Sequence, residues 1–272
     1  MKALILNSGL GSRMGVLTAE QPKCMTEISY CETILSRQLK MLAEAGIRDV
    51  VITTGAFAEV LKDYCRGLDL PLSISFIHNP RYRETNYIYS IYCAREQLMD
   101  DDILLMHGDL VFENRVLELV MDSDVSCMAV SSEIPLPEKD FKAVILDGII
   151  RKVGIDFFDE AMAAQPFYLL KRNDWKVWMD SIAGFCERNI VTCYAEDAFN
   201  EVSAQCGLHP LDIGDMLCSE IDNSVDLDRV SDRLKEISAR TVYMCFSTDM
   251  VHSGHISIIR KAARLGKLII GV

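Results

Sequence analysis

Three glycines, an arginine and a lysine near the start of the chain give the first chemical signal. In LILNSGLGSRMG, Leu4 to Gly15, an apolar run breaks into Gly9, Gly11 and Gly15 around Arg13. Glycines at 9 and 11 let the backbone turn tightly and present N–H groups to an anion. Arg13 adds a planar donor fork suited to phosphate oxygens. Further on, in QPKCM, Pro22 fixes the backbone and Lys23 can return a point charge to the same place. The spacing is neither the P-loop G-x-x-x-x-G-K-[ST] nor the dinucleotide fingerprint, whose third glycine is displaced here to Gly15. A tight β-α connection explains the glycines alone; the two cations tip the reading towards phosphate.

A carboxylate supplies the complement. Asp109 follows an apolar strand in LLMHGDL, where it is placed to hold Mg²⁺ against phosphate oxygens. The competing reading is a cap for the helix ENRVLELV that follows. Thr85, Asn86 and Ser90 open another helix, and an Asn or Thr cap accounts for them without a ligand.

These residues need a scaffold that gathers them, and the hydrophobic pattern supplies one. KALILN reads as a buried parallel strand. ETILSRQLKMLAEAGI has apolar residues at helical spacing and stops at Gly46. DVVITTG, LSISFIHN and DDILLMHGD read as further strands, and AEVLKDYC and NYIYSIYCAREQL as helices. Repeated strand-then-helix order predicts a mainly parallel sheet, with sites at the carboxyl ends of its strands. Asn7, Ser8, Gly55, His78, Asn79 and Asp109 all fall at such ends. From about residue 124 to 172 the text changes to short strands joined by turns, an antiparallel extension placed to cover the site. Helices resume at DWKVWMDSIAGFCE and EDAFNEVSAQ. With no Pro/Gly/Ser linker, residues 1–232 read as one domain.

Composition limits the classes further. The 272 residues carry a formal net charge of −12, which argues against a general nucleic-acid surface. No apolar run approaches the ~20 residues of a membrane span, so membrane insertion is not expected. Ten cysteines form no C-x-x-C pair and most lie in apolar segments, which fits free buried thiols in a reducing, cytoplasmic setting rather than zinc or disulfides.

The segment LILNSGLGSRMG followed by QPKCM resembles the signature of the sugar-nucleotidyltransferase superfamily, L-x-x-G-x-G-x-R-[LM] with a later P-K. NPRYRETNYIYSIYCA, HGDLVF, YAEDAFNE and EIDNSVDL resemble its phosphocholine cytidylyltransferase branch. EKDFKAVI and KVGIDFF resemble the cytidylyltransferases linked to phosphoenolpyruvate mutase in phosphonate biosynthesis. The resemblance implies a Rossmann-like α/β nucleotidyltransferase fold, with small-molecule substrates: CTP and a phosphonate or phosphate monoester. It implies nucleotide contacts at Asn7, Ser8, Gly9, Gly11, Ser12, Thr85, Asn86 and Ser90. Arg13, Lys23 and Asp109 take the catalytic roles, and Asp109 and Asp222 the Mg²⁺. Asn7 and Ser8 depart from the small apolar residues of many members.

For the acceptor, Lys139 and Lys142 could meet a phosphonate or phosphate, or stand as solvated strand-end lysines. Glu196 and Asp156 could meet an ammonium group, and Tyr168 or Trp175 could add a π face. The expected reaction is attack by an already ionised phosphonate oxygen on the α-phosphorus of CTP. It needs no general base, so neither His78 nor His107 has a necessary role. Phosphocholine is the nearest alternative acceptor, a sugar 1-phosphate with another nucleotide the wider one, and a non-catalytic nucleotide-binding scaffold the rival of another class.

Residues 233–272 read as a linker helix and the start of a second domain, in a larger multidomain parent. STDMVHSGHISIIRKAA contains H-x-G-H, His252 to His255, between a strand and a helix, and resembles an unrelated cytidylyltransferase superfamily. The later phosphate motif of that fold is absent from the chain, so these histidines are expected to be inert.

Overall fold

A computed structural model of the chain describes residues 1–247, 250–263 and 265–271; the side chain of Ser12 lies outside the described residues. The first half alternates as its periodicity predicts. The strands and helices run β1 (Lys2–Asn7), a short hairpin of β2 (Glu27–Ser29) and β3 (Glu32–Thr33), α1 (Ile34–Glu44), β4 (Asp49–Thr54), α2 (Ala58–Arg66), β5 (Ser73–His78), α3 (Tyr87–Leu98) and β6 (Ile103–His107). Strands β6, β1, β4 and β5 lie side by side and parallel.

The second half reverses direction, as expected. After β7 (Leu110–Phe112), α4 (Asn114–Met121) and β8 (Cys127–Ser131), the hairpin β9 (Lys142–Leu146) and β10 (Ile149–Gly154) leads into β11 (Ala161–Leu170). β11 runs antiparallel to β6, β8 and β9, and so joins the extension to the main sheet. Then follow α5 (Arg172–Glu187), α6 (Ala195–Val202), β12 (His209–Asp212), β13 (Cys218–Glu220) and α7 (Ser224–Ala239).

Period-two alternation along β1 sends Ala3 and Ile5 to one face of the sheet and Leu4 and Leu6 to the other. Helices α1, α2 and α4 cover the first face; α3, α5 and α6 cover the second. Trp175 belongs to this second layer, its Nε1 donating to the Leu98 carbonyl at 3.0 Å, so it is core and not a π face for a ligand.

A third, smaller apolar cluster lies beside the strand ends. It joins Met14, Ile28, Ile34, Val111, Leu217 and Ile221 to Val230 and Leu234 of α7. Met14 adjoins Arg13, and Ile221 adjoins Asp222, so this cluster ties the glycine loop to the segment after β13. The expected boundary at residue 232 falls inside α7, whose Leu234 is buried here. Beyond it, β14 (Thr241–Cys245) and β15 (Lys267–Gly271) pair in parallel around α8 (Ser253–Ala263), which has no buried residue. Thr248 and Asp249 of the H-x-G-H segment lie outside the described residues.

One buried amide fixes the turn after β6. Gln38 of α1 donates through Nε2 to the carbonyls of His107, at 2.9 Å, and Leu110, at 2.8 Å. These residues bracket Asp109. Gln38→Leu strands both carbonyls and is expected to lower stability by about 1–3 kcal/mol. Urea denaturation measures this; an unchanged midpoint would show that the clamp is dispensable.

Candidate functional site

The glycine loop leaves β1 between two glycines that leave no room for a side chain, and a Cβ on the first, Gly55, would meet the Ser8 carbonyl oxygen at 2.3 Å. A Cβ on Gly108 would meet Oδ1 of Asn7 at 1.7 Å. Gly11 adopts φ 64°, a left-handed conformation that glycine takes without strain. Thr18 Oγ1 donates to the Gly11 carbonyl at 2.9 Å and closes the loop on itself. Pro22, in extended backbone, then opens the single turn Lys23–Met25 and returns Lys23 to the loop.

Four charges meet there. Lys23 Nζ lies 2.5 Å from Asp109 Oδ2 and 2.7 Å from Asp222 Oδ1. Arg13 reaches Asp222 Oδ2 at 2.8 Å, but its side chain is 72% exposed, so that bridge alone contributes little. Burial works against charge on Lys23, yet Asp109 and Asp222 outweigh it and hold the ammonium above its ordinary value. Burial likewise opposes the Asp109 carboxylate, but Lys23 and then His107 pull it below the usual range. Asp109 is not a helix cap: β7 intervenes, and the residue at the start of α4 is Glu113.

A cavity of about 810 Å³ opens over this cluster. Asn7, Ser8, Gly9, Gly11, Thr85, Asn86, Lys139 and Asp222 all line it, as do Arg13, Lys23 and Asp109. Asn86 also caps α3, its Oδ1 accepting from the Tyr87 N–H at 2.7 Å, so the cap and the lining coexist. Ser90 lies just beneath, fully buried, its Oγ 2.5 Å from that of Ser8 and 2.9 Å from Nδ2 of Asn79.

Other expected acceptor contacts are elsewhere. Lys142 is buried, with Nζ 4.3 Å from the centre of the Phe158 ring and donating to the Pro137 carbonyl. It secures the segment that presents Lys139 and is neither a solvated lysine nor part of the cavity lining. Asp156 is exposed, outside the lining, while its neighbour Ile155 faces the cavity. Tyr168 lies in the core, and its hydroxyl donates to Glu196 Oε1 at 2.8 Å. Glu196 is 1% exposed and also accepts from the Tyr87 hydroxyl, so it supports the floor of the site through Tyr87.

Sequence reasoning passed over the residues that form that floor. His107 Nδ1 lies 2.8 Å from Glu220 Oε1. Tyr87 meets the His107 ring edge-on at 4.7 Å, and Tyr194 and Phe141 stand at 5.2 Å from each other, also edge-on. The signal was position: His107 closes β6 and Glu220 closes β13, each two residues before an acid that the sequence does single out, Asp109 and Asp222. Burial, with the neighbouring Asp109 carboxylate, pushes Glu220 up to about 7 against the pull of His107. Burial opposes a charge on His107, but the Glu220 hydrogen bond prevails and raises it.

The donor set fits a hard divalent cation. The Asp109 and Asp222 carboxylates converge on one cation position, that of Nζ, and oxygen donors suit Mg²⁺. His107, Asp109 and Glu220 also bring ligand atoms within 4.8 Å of one another. There, however, the imidazole Nδ1 is already engaged by Glu220, and imidazole suits softer metals.

At the far end of the chain, His252 and His255 lie with ring centroids 4.0 Å apart, and His255 stacks on Phe246 at 5.0 Å.

Two outcomes follow from the charges. Lys23→Met leaves two half-buried carboxylates facing each other, and is expected to lower stability by roughly 1–3 kcal/mol. Millimolar Mg²⁺ restores the melting temperature of this variant more than it raises that of wild type. A variant indifferent to Mg²⁺ would deny the carboxylate pair a cation site. The raised Glu220 and His107 make the folded chain hold more protons than the unfolded chain above the ordinary Glu value of 4.5. Their contribution is therefore greatest at low pH and is lost as pH rises to about 7 and beyond. Glu220→Gln flattens that decline, read as melting temperature from pH 5 to 8; parallel curves for the two proteins would contradict it.

Residues 3–134 match the family described as MobA-like NTP transferase domain. The CMP-5'-(3-aminopropyl)phosphonate synthase of Streptomyces rubellomurinus is 32% identical over 179 residues, 63% of this chain and 28% of that protein. The CTP:phosphoglutamine cytidylyltransferase of Campylobacter jejuni is 32% identical over 126 residues, 44% of this chain and 48% of that protein. The chain thus spans less than half the length of these curated relatives. Among solved structures, the CTP:phosphocholine cytidylyltransferase of Streptococcus pneumoniae superposes with a TM-score of 0.66 at 18% identity, covering 86% of this chain and 98% of that one. Inositol-1-phosphate CTP transferase from T. maritima gives 0.67 at 18% identity, with 86% and 96% covered. The glycine loop, Arg13, Lys23 and Asp109 all fall within the matched stretch, so the charges gathered at the cavity lie in the part of the chain that is similar to MobA-like NTP transferase domains, on the fold shared with these solved structures.

Proposed function

We propose that the protein is a Mg²⁺-dependent cytidylyltransferase that moves CMP from CTP to a small aminoalkylphosphonate, of the 2-aminoethylphosphonate type, and releases pyrophosphate. The observation that carries the reading is the mix of charge in one cavity. Arg13, Lys23 and the glycine loop line it together with the carboxylates of Asp109, Asp222 and Glu220 and the rings of Tyr87, Tyr194 and Phe141. The loop and its cations suit a triphosphate, and the carboxylates and rings suit a molecule that joins an anionic head to a cationic tail. The Streptomyces relative, by its name a CMP-aminopropylphosphonate synthase, joins such a molecule to CMP.

The chemistry follows from charge. A phosphonate monoanion or dianion is a competent nucleophile without a base. One of its oxygens bonds to the α-phosphorus as the bond to the bridging oxygen of pyrophosphate breaks in line. Arg13 and Lys23 stabilise the charge that grows on the departing pyrophosphate. Asp109 and Asp222 would hold Mg²⁺, which supplies further positive charge to the phosphate oxygens when bound. Lys23 must leave at least one carboxylate to reach the triphosphate, and it would be free to do so where Asp109 and Asp222 held a metal ion instead. The aromatic faces also favour phosphocholine, whose quaternary ammonium they can receive by cation–π contact.

Pyrophosphate release from CTP, UTP, ATP and GTP, each with a panel of phosphonates, phosphocholine and sugar 1-phosphates, tests the reading. CTP with an aminoalkylphosphonate is expected to give the highest turnover, falling at least ~100-fold in Asp109→Ala and Lys23→Ala. Absence of turnover with CTP and every phosphonate refutes the proposal, and activity with phosphocholine alone selects the second acceptor.

A further inference from the structure

The main sheet ends in two very different strands. At one end β10 is guarded. Arg151 and Lys152 stand in it, and its register slips between Ile150 and Lys152. Its backbone is also covered: the Ile150 N–H donates to the Leu208 carbonyl at 2.8 Å. The Val153 N–H donates to Asn200 Oδ1, and Asn200 Nδ2 donates to the Val153 carbonyl, each at 2.8 Å. Charge, irregularity and covering are the devices by which an edge avoids pairing with another chain. At the other end β5 has none of them. Its six residues, SISFIH, include no Lys, Arg, Asp, Glu or Pro, and they pair with β4 without a bulge. The Ser73 N–H donates to the Arg48 carbonyl and the Asn79 N–H to that of Thr54, each at 2.8 Å. The odd-numbered residues between them therefore face β4, and Ile74, Phe76 and His78 point their N–H and C=O groups away from the sheet. Among the described residues no strand receives them.

This outer row complements itself. Antiparallel pairing about a twofold axis sets Phe76 opposite Phe76 of a second copy and Ile74 opposite His78, each pair exchanging both N–H···O bonds. The two Phe76 rings then meet on one face of the joined sheet, where an aromatic cross-strand pair is favourable. They continue the half-buried apolar row of Leu68, Leu70, Leu72 and Ile74. Charge agrees with the same axis. Asp69 lies before β5 and Arg83 after it, both exposed. Arg83 meets the Tyr82 hydroxyl and ring, and neither charge has an ion-pair partner among the described residues. Antiparallel pairing carries the Asp69 end of each copy to the Arg83 end of the other. We propose that β5 is the interface of a homodimer, in which two copies join edge to edge into one continuous sheet. An extended segment of a different protein would satisfy the same backbone groups, but it would not call for opposite charges at the two ends of the strand. The dimer is independent of what the cavity binds.

Sedimentation of the chain over a range of concentrations, with hydrogen exchange of the β5 amides, tests this. Wild type is expected to be a dimer at tens of micromolar and to dissociate on dilution, with the Ile74, Phe76 and His78 amides losing protection as it does so. His78→Pro removes one outward N–H from each copy and no bond to β4, and is expected to raise the dimer dissociation constant about tenfold. Asp69→Arg raises it about threefold, and adding Arg83→Asp to that variant restores the wild-type value. The charge exchange decides the matter if His78→Pro does not fold, since both its positions are exposed. Wild type that stays monomeric at every concentration overturns the proposal, whether or not the edge takes up some other extended chain. So does a dimer that is indifferent to His78→Pro and to Asp69→Arg, or one whose dilution leaves the β5 amides unchanged, because either places the contact on another face.

Discussion

Two carboxylates that start more than a hundred residues apart in the chain are held against a single ammonium. Asp109 enters at the end of a central strand, Asp222 after β13, and Lys23 from a turn behind the glycine loop. Neither acid is free to drift, because each is fixed by the segment that carries it. Their mutual repulsion in a half-buried site has to be answered by positive charge. In the free protein Lys23 answers it, and it does so from the position a divalent ion would take. The rest of the site can be understood as what keeps this arrangement in place: Gln38 pinning the turn around Asp109, and Thr18 closing the loop around Gly11.

The support for that arrangement is apolar and modest in size. Met14, Val111, Ile221 and the buried face of α7 form a cluster separate from the two large layers of core. It is this cluster that fastens the glycine loop to the β13 segment. A site built this way couples geometry to packing: a change in α7 acts on Asp222 through Ile221 without touching a ligand. It also packs α7 against the glycine-loop segment as far as Leu234, which lies just past the expected division at residue 232.

Much of this was legible in the sequence. The parallel strands could be read because their apolar runs end in glycine or polar residues, as KALILN does before Asn7 and Ser8. The cationic and acidic residues could be placed because each lies at such an end or in the glycine loop. What escaped was the floor. His107 and Glu220 were visible as residues but not as a pair, because β7 and β13 meet only through tertiary pairing, Cys218 opposite Phe112 and Glu220 opposite Leu110. Lys142 and Tyr168 misled for a related reason. On a strand, one residue's difference in register decides whether a side chain faces the cavity or the core, and nothing local to EKDFKAVI or PFYLLK says which. Glu196 shows the subtler case: an acid near the right place, but engaged by Tyr87 and Tyr168 and turned into support for the site rather than a contact within it.

The acid-rich floor also carries a consequence for how the cavity can be filled. Glu220, Asp222, Asp140 and Asp226 border the same space, and burial followed by the neighbouring Asp222 and Asp226 charges raises the Asp140 carboxyl above its usual value. A purely anionic molecule entering that end would meet uncompensated repulsion in a region of reduced dielectric. Positive charge brought to Asp109 and Asp222 would lower that barrier, and so would positive charge carried by the entering molecule itself. The electrostatics therefore oppose an unaccompanied anion and favour a molecule, or a pair of molecules, that brings cationic charge to these carboxylates.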